Sequence, residues 1–376
     1  MRLGVDIRVL MDNYYSGVSV FTFNLLSSLL KKDKLSTYRF FCNSFKRKKI
    51  DLSPENTVQT FYPNKIFNYL LQKTFSYPKL DKIIGGVDLF YSPHINFSSF
   101  SSKVKKVITI HDLSFLRYPE FFSQRKNFWH KSVNISKKIK DFDKIIAVSD
   151  NTKNDLIELL KISENKIEVV YPGITNNLFL NHNFSPDFLA KKYGISRSYV
   201  LYLGTIEPRK NIIGLIKAYN LLRDAGFDHL LVLAGSWGWK TKEIKKEWFK
   251  SRYKKDIIFT GYVPSEEKSV FYSQAELFVY PSFYEGFGFP PLEAMYFSLP
   301  VISSNVSSLP EVLSDSALLI NPDKSGDLFE AMKILLIDQN LKTKLREKGK
   351  IRSSFFSWDK TSADYLKIFE KVYGQK

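Results

Sequence analysis

A single cysteine, Cys42, in 376 residues excludes a disulfide within the chain and any cysteine-built metal site. No stretch approaches the roughly 18 uninterrupted apolar residues of a membrane span. The first residues, Met1-Arg-Leu-Gly-Val-Asp-Ile7, lack the apolar core of a secretory signal and read directly as a strand, so a cytoplasmic protein is expected. Acidic residues are in deficit, 38 against 56 Lys and Arg, which leaves a formal charge of +18. The imbalance is uneven: residues 1 to 180 hold 28 basic and 16 acidic side chains, a net +12, and the rest hold 28 and 22. Basic clusters at Lys31 to Lys34, Lys46 to Lys49, Lys103 to Lys106 and Lys137 to Lys140 have aromatics such as Phe67, Tyr69, Phe75 and Tyr77 near them in sequence. Such a surface suits plain solubility or an anionic membrane surface about equally, the latter placing the protein peripherally at the inner face of the cell membrane. No nucleic-acid module is recognisable, and nucleic acid ranks well below both.

What is present is a globular composition, 44% hydrophobic and 25% charged, in a chain long enough for two domains. Strand and helix patterns alternate. Strands are expected at Leu3 to Val9, Tyr38 to Cys42, Leu89 to Tyr91, Val107 to Ile110, Lys144 to Val148 and Ile167 to Tyr171, and helices at Val18 to Leu30 and Asn151 to Leu160. Pro172-Gly173 and an Asn-rich stretch interrupt the pattern, which restarts at Tyr199 to Gly204. Further strands follow at Leu230 to Ala234, Ile257 to Phe259, Leu277 to Tyr280 and Val301 to Ser303. This alternation argues for an α/β protein of two doubly wound parallel-sheet domains, residues 1–175 and 176–358. Their ligands are expected at the carboxyl ends of the strands.

The segment Pro281-Ser-Phe-Tyr-Glu285-Gly286-Phe287-Gly288-Phe-Pro-Pro-Leu-Glu293 follows one of those strands. Its glycines let the backbone turn tightly and approach a ligand, and Pro290 and Pro291 suit the first turn of a helix whose N-terminus attracts phosphate. Glu285 in the loop and Glu293 in the first turn can accept hydrogen bonds from sugar or ribose hydroxyls beside a diphosphate. Either glutamate alone is more simply a turn or helix-dipole residue, but a carboxylate inside an anion-binding loop is an odd choice for stability. Arg209 and Lys210, in the turn Gly204-Thr-Ile-Glu-Pro-Arg-Lys-Asn211, lie at another strand end of the same sheet, where cations can neutralise phosphate oxygens. His111-Asp112 ends the strand Val107 to Ile110, and His94 stands beside another strand end. A lone histidine there is more often structural than catalytic. Asp141-Phe-Asp143 precedes a strand and reads as a surface turn. No other Asp, Glu or His cluster has metal-ligand spacing, so no metal and no other cofactor is expected.

The Glu285-x7-Glu293 spacing, with Ala294-Met295, Pro300-Val301-Ile302 and Leu309-Pro310-Glu311-Val312 after it, resembles the signature of the retaining nucleotide-sugar glycosyltransferases of family 4, group 1. Phe289 and Ser298 stand where that family commonly has Leu and Gly. The resemblance covers nearly the whole chain. It implies the GT-B architecture, two Rossmann-like domains facing a cleft, with a terminal helix (residues 359–376) packed back on the first. It implies that Ile110 to Glu120 is an acceptor-side segment in which His111 contacts the transferred sugar, and that Gly17 belongs to a glycine turn near the donor. Ser19 and Val20 replace residues that are often Gly and Arg in that turn. Loops Gly235 to Trp239 and Gly261 to Pro264 would lie near the nucleotide, the latter holding the base through backbone groups such as those of Val263. Glu285 would hold the donor sugar with the backbone of Gly286, Phe287 and Gly288, and Glu293 the ribose. Thr205 follows Gly204 where the family often has Arg, so the cationic duty falls to Arg209 and Lys210. The bacterial mannosyltransferases of surface polysaccharide synthesis are most similar, which makes GDP-mannose the first expected donor and a glycan or lipid-linked hydroxyl the acceptor. Rival readings are a GT-B epimerase and a non-catalytic nucleotide- or glycan-binding protein.

Overall fold

The computed structural model describes residues 1–11, 17–45, 52, 54–72, 77–174 and 184–374. Ser16, the Lys46 to Lys49 cluster, Phe75 and the expected boundary at residue 175 lie outside them. The described chain divides into two compact units. The first comprises residues 1–113, 124–173 and 357–376, and the second 114–123 and 174–356.

The first unit is built on seven parallel strands: β1 (Arg2–Asp6), β2 (Thr37–Asn43), β3 (Thr57–Thr60), β4 (Leu89–Ser92), β5 (Lys105–Ile110), β6 (Lys144–Ala147) and β7 (Ile167–Val169), in the order β3-β2-β1-β4-β5-β6-β7. Parallel strands covered on both faces carry continuous apolar runs, and β4 is buried throughout. The first strand is shorter than expected, because Arg8–Met11 turns into a 3-10 helix after Asp6. Helix Asp150–Leu160 is capped by Ser149, whose Oγ accepts the backbone N–H of Thr152. The terminal helix Trp358–Gly374 packs on helix Gly17–Lys32, with Ser28 Oγ donating to the Trp358 carbonyl at 3.1 Å. A buried hydroxyl chain continues this contact, Tyr91 to Thr109 at 2.7 Å and Thr109 to Tyr365 at 2.8 Å. The stripe that faces inward is Tyr365, Ile368, Phe369 and Val372, with Leu366 only half-buried.

The second unit has six parallel strands: β8 (Tyr199–Leu203), β9 (Leu230–Ala234), β10 (Ile257–Gly261), β11 (Leu277–Tyr280), β12 (Val301–Ser304) and β13 (Leu318–Ile320), ordered β10-β9-β8-β11-β12-β13. Strands β8, β9, β11 and β12 are buried at every position. In both sheets the chain winds outward in one direction and then restarts in the other. That reversal falls between β1 and β4 in the first sheet and between β8 and β11 in the second. Loops leaving two such neighbouring strands diverge and open a crevice at their carboxyl ends.

The ten residues Ser114–Ser123 group with the second unit, whereas the sequence reading places all of Ile110 to Glu120 in the first. Their aromatic side chains are the reason. Phe121 stacks on Phe283, and Phe122 stacks on Trp239, with centroids 5.6 and 5.8 Å apart.

Candidate active site

In the second unit the loop after β8 and the loop after β11 meet. Pro208–Lys210 forms a 3-10 turn that ends at Asn211, whose left-handed backbone and side chain cap helix Ile212–Asp224. This turn delivers Arg209 and Lys210 to Glu285. Lys210 Nζ donates to Glu285 Oε1 and, at 2.6 Å, to the Tyr280 hydroxyl. Arg209 Nη1 donates to Glu285 Oε2 at 3.1 Å and to the Tyr284 carbonyl at 2.6 Å. Its Nε and Nη2 donate to Glu207 Oε1 at 3.1 and 2.9 Å. The sequence reading brings Arg209, Lys210 and Glu285 to one sheet edge, as the structure does, but assigns the cations no partner within the protein. They are members of a buried network of two cations and two carboxylates, in which Glu207 and Tyr280 are partners the sequence reading did not assign. Glu207, two residues before Arg209 in a motif otherwise short of acids, was the available signal for the first of them.

Burial pushes the Glu285 carboxyl up, yet Arg209 and Lys210 overcome it and hold the group down at about 2. Burial also pulls the Lys210 ammonium below the usual lysine value, reinforced by Arg209 and opposed by Glu285 and Glu207. The contacts decide the state: an ammonium within hydrogen-bond reach of a carboxylate and a phenol hydroxyl is the charged partner of an ion pair.

The loop's backbone is fixed from behind. Ser307 Oγ accepts the Glu285 N–H at 2.9 Å, and Ser308 Oγ donates to the carbonyls of Glu285 and Phe287 at 3.0 and 3.2 Å. Gly288 has φ +101, a conformation that demands glycine, and a Cβ there would press on the end of the Leu309 side chain at 2.8 Å. The Phe287 ring packs on Phe289 and Phe356, so only its backbone can serve a ligand. Pro290 and Pro291 open helix Phe289–Tyr296, as their missing N–H groups favour.

Glu293 lies in the second turn of that helix and not the first, so it does not complement the helix dipole. It is buried, accepts the Tyr272 hydroxyl at 2.7 Å and pairs with Lys268 Nζ at 3.2 Å. Tyr272 and Lys268 come from helix Lys268–Gln274, which follows the loop carrying buried Val263. Neither partner was read from the sequence, since nothing local links residues 268 and 293. The loop after β9 approaches the cationic turn closely: a Cβ on Gly235, at φ +150, would fall 2.0 Å from the Gly204 carbonyl oxygen. Trp237 is stacked on Phe259 under Lys245 Nζ, and Trp239 is engaged with Phe122, so both tryptophans are occupied by protein.

In the first unit His111 lies at the end of β5 and donates from Nε2 to the Pro93 carbonyl at 2.8 Å. That bond leaves Nδ1 as the acceptor. Burial holds its pKa below the ordinary value, against the Pro93 bond and Asp112, so the ring is neutral at pH 7. It makes a T-shaped contact with the Phe21 ring, centroids 4.6 Å apart. His94, pushed down to about 4 by burial, accepts a hydrogen bond from Asn96 Nδ2 at 3.3 Å and has a buried Nδ1 without a partner among the described residues. Buried Asp6 pairs with Arg8, Oδ2 to Nη2 2.6 Å, and Arg8 also donates to the Phe97 carbonyl. The sequence reading missed this pair at the β1 end. Among the described residues, a Cβ on Gly17, the first residue of its helix, would meet nothing within 4 Å. Among the described residues no group of three or more His, Cys, Asp and Glu side chains is arranged to hold a metal ion.

A family model described as "Glycosyl transferases group 1" matches residues 187–352, and one described as "Glycosyltransferase Family 4" matches residues 15–177. The O-antigen chain mannosyltransferase B of Escherichia coli is 32% identical over 290 residues, covering 75% of this chain and 72% of that protein. The chain is a family 4 glycosyltransferase. This glycosyltransferase is also 29% identical over 287 residues to the serotype-specific mannosyltransferase WbdA of Escherichia coli, a match that covers 71% of this chain but only 34% of that longer protein. Among solved structures, sucrose-phosphate synthase from Thermosynechococcus elongatus superposes with a TM-score of 0.79 over the full length of both chains at 20% identity, which shows a shared GT-B fold. No helix among the described residues of the glycosyltransferase is long and apolar enough to cross a membrane.

Proposed function

We propose that this glycosyltransferase transfers mannose, with retention of configuration, from GDP-mannose to a hydroxyl of a glycan or lipid-linked acceptor in surface-polysaccharide synthesis. The observation that carries the reading is the contact of Lys210 and Arg209 with Glu285 at the carboxyl ends of β8 and β11, where the strand order reverses. The names of the relatives, mannosyltransferases of O-antigen chains, support the sugar. The bond from the anomeric carbon to the diphosphate oxygen breaks, and a bond to the acceptor oxygen forms on the same face. The acceptor's proton passes to the departing phosphate. Lys210 and Arg209 meet the charge developing on that leaving group, assisted by the backbone at Gly286 to Gly288 and the following helix N-terminus. Glu285 receives hydroxyls of the hexose and Glu293 those of the ribose. The reading needs no metal, since side chains and backbone supply the positive charge.

Titration of GDP- and UDP-sugars by calorimetry, with transfer measured alongside, tests this. GDP-mannose should bind in preference, and Glu293→Ala should weaken it at least about tenfold, the effect of losing a charge-assisted hydrogen bond. Preference for a UDP-sugar would overturn the donor assignment, and indifference to Glu293 its ribose role.

A lipid-linked acceptor would bring the protein to a membrane surface, and the contact is proposed to use an exposed apolar face of the first unit. Helix Asn64–Gln72 buries Phe67 and Leu71 yet exposes Ile66, Tyr69 and Leu70, with Phe61 and Tyr62 just before it, all 40–54% exposed. Aromatic and aliphatic side chains on a strongly basic half suit the interface of anionic lipid. Vesicles containing phosphatidylglycerol should bind the protein at low salt and release it as ionic strength rises through a few tenths molar. Ile66→Ser with Leu70→Ser should weaken binding without affecting the salt slope. Absent or salt-insensitive binding would sink the membrane assignment.

A further inference from the structure

Residues Ser114–Ser123 begin three positions after His111 in the chain, yet all ten belong to the second unit. They fold as two short turns, Ser114–Arg117 and Pro119–Phe121, closed by the N–H groups of Tyr118, Phe121 and Phe122 on carbonyls of Ser114, Tyr118 and Pro119. What they touch is specific. The Phe121 ring stacks on Phe283 and the Tyr118 ring meets Tyr284 edge-on, at 5.6 and 5.8 Å. Trp239 Nε1 donates to the Phe121 carbonyl at 2.7 Å, Trp239 stacks on Phe122, and Lys240 Nζ donates to the Glu120 carbonyl at 2.5 Å.

These anchor points are the supports of the charged network. Phe283 donates its N–H to the Arg209 carbonyl at 2.9 Å, and the Tyr284 carbonyl accepts Arg209 Nη1. The loop of Trp239 is stitched to the cationic turn by Ile206 N–H to the Ser236 carbonyl and Gly238 N–H to the Ile206 carbonyl, both 2.9 Å. One ten-residue strap therefore bridges the loops after β9 and β11, each of which is bonded to the cationic turn after β8. Three aromatic pairs and two hydrogen bonds to backbone are more than a passing surface contact, and two of the pairs fall on Phe283 and Tyr284, just before Glu285.

We infer that the strap is a positioning element of the donor site, with Tyr118 and Phe121 as positioning residues that hold Phe283 and Tyr284, and through the Tyr284 carbonyl the Arg209 guanidinium, in the geometry that receives a nucleoside diphosphate. The inference rests on the donor-site reading proposed above. Because the loops and the strap brace each other, occupancy of the site orders the strap in return, as linkage requires.

GDP and UDP alone, without sugar or acceptor, are the probes. Phe121→Ala and Tyr118→Ala should each weaken binding of the nucleotide roughly tenfold, the loss of one or two aromatic pairs. Tyr118→Phe, which keeps the ring contact, should bind as the parent does. In the parent protein the amides of Tyr118, Phe121 and Phe122 should exchange with solvent several-fold more slowly once nucleotide is bound. A strap that merely stabilised the fold would lower the melting temperature in the alanine variants and leave neither nucleotide-dependent exchange nor affinity altered in protein that remains folded; that result overturns the inference. Where an alanine variant fails to fold, Tyr118→Phe and the exchange of the parent still decide. Lys210→Ala separates the two readings. Nucleotide binding that is indifferent to Lys210, or absent in the parent, overturns the donor site and the strap with it. Binding that needs Lys210 but not Phe121 or Tyr118 overturns the strap alone.

Discussion

Lys210→Ala lowers kcat/KM for sugar transfer by roughly 10³, about what removal of one preorganised charge donor costs an enzyme. The expectation rests on burial. Lys210 is only 6% exposed and sits at a strand end among Glu285, Glu207, Arg209 and Tyr280, with its ammonium held by Glu285 and the Tyr280 hydroxyl. A charge held there does not reorganise when negative charge develops on a leaving diphosphate, and in a desolvated site it acts with little screening. The same substitution destabilises the second unit by roughly 3–5 kcal/mol, because it leaves Glu285 buried with Arg209 as its sole neutralising partner across 3.1 Å. Stability and chemistry are separable. Lys210→Met combined with Glu285→Gln removes both charges at similar volume and should recover most of the lost stability while transfer stays at the level of Lys210→Ala. Urea unfolding followed by the fluorescence of Trp237, Trp239 and Trp248, with steady-state transfer on the same preparations, measures both. Recovery of transfer by the double variant would show that Lys210 only neutralises Glu285.

That network also marks the limit of what the chain declares in sequence. The strands β8, β9 and β11 were legible because buried parallel strands are apolar runs of four or five residues closed by Gly or Pro, and β12 because Val301-Ile302 follows Pro300. The strands β3 and β13 were not. Thr57–Thr60 is an edge strand of Thr, Val and Gln, half-buried along its length, and Leu318–Ile320 is three residues long, so neither makes a pattern. Glu285, Arg209 and Lys210 could be placed at one sheet edge because two loops of a doubly wound sheet converge wherever strand order reverses. Their partners could not. That Lys268 and Tyr272 bind Glu293, or that Tyr280 binds Lys210, depends on side-chain directions across elements. The strap was missed for a related reason. Sequence adjacency to β5 placed Ser114–Ser123 in the first unit, while the evidence against it, the density of Phe115, Tyr118, Phe121 and Phe122 in a segment too short to bury them itself, has meaning only once Phe283 and Trp239 are known to be waiting.

Glu285→Gln flattens the acid limb of stability and costs transfer about 10², because it keeps the shape of the loop while removing the charge that Arg209 and Lys210 are arranged around. The sign follows from the shift. Despite desolvation, the folded protein holds the Glu285 carboxyl at about 2, below its ordinary value of 4.5. A group depressed in the folded state stabilises it fully above its unfolded pKa, and that stabilisation drains away as pH falls through the folded value. The window is therefore about pH 4.5 down to 2, and the contribution at neutral pH is roughly 3 kcal/mol. Unfolding free energies of the parent and Glu285→Gln should differ by about that much at pH 7 and converge as the pH approaches 2, since protonation makes the parent resemble the variant. The alternative is that the two cations are satisfied mainly by Glu207, the Tyr284 carbonyl and Tyr280, with Glu285 incidental to them. The difference between parent and variant would then be small and constant with pH. Parallel curves in that window would thus remove Glu285 from the centre of the network, and with it the reason for reading Lys210 and Arg209 as charges preset for a leaving diphosphate.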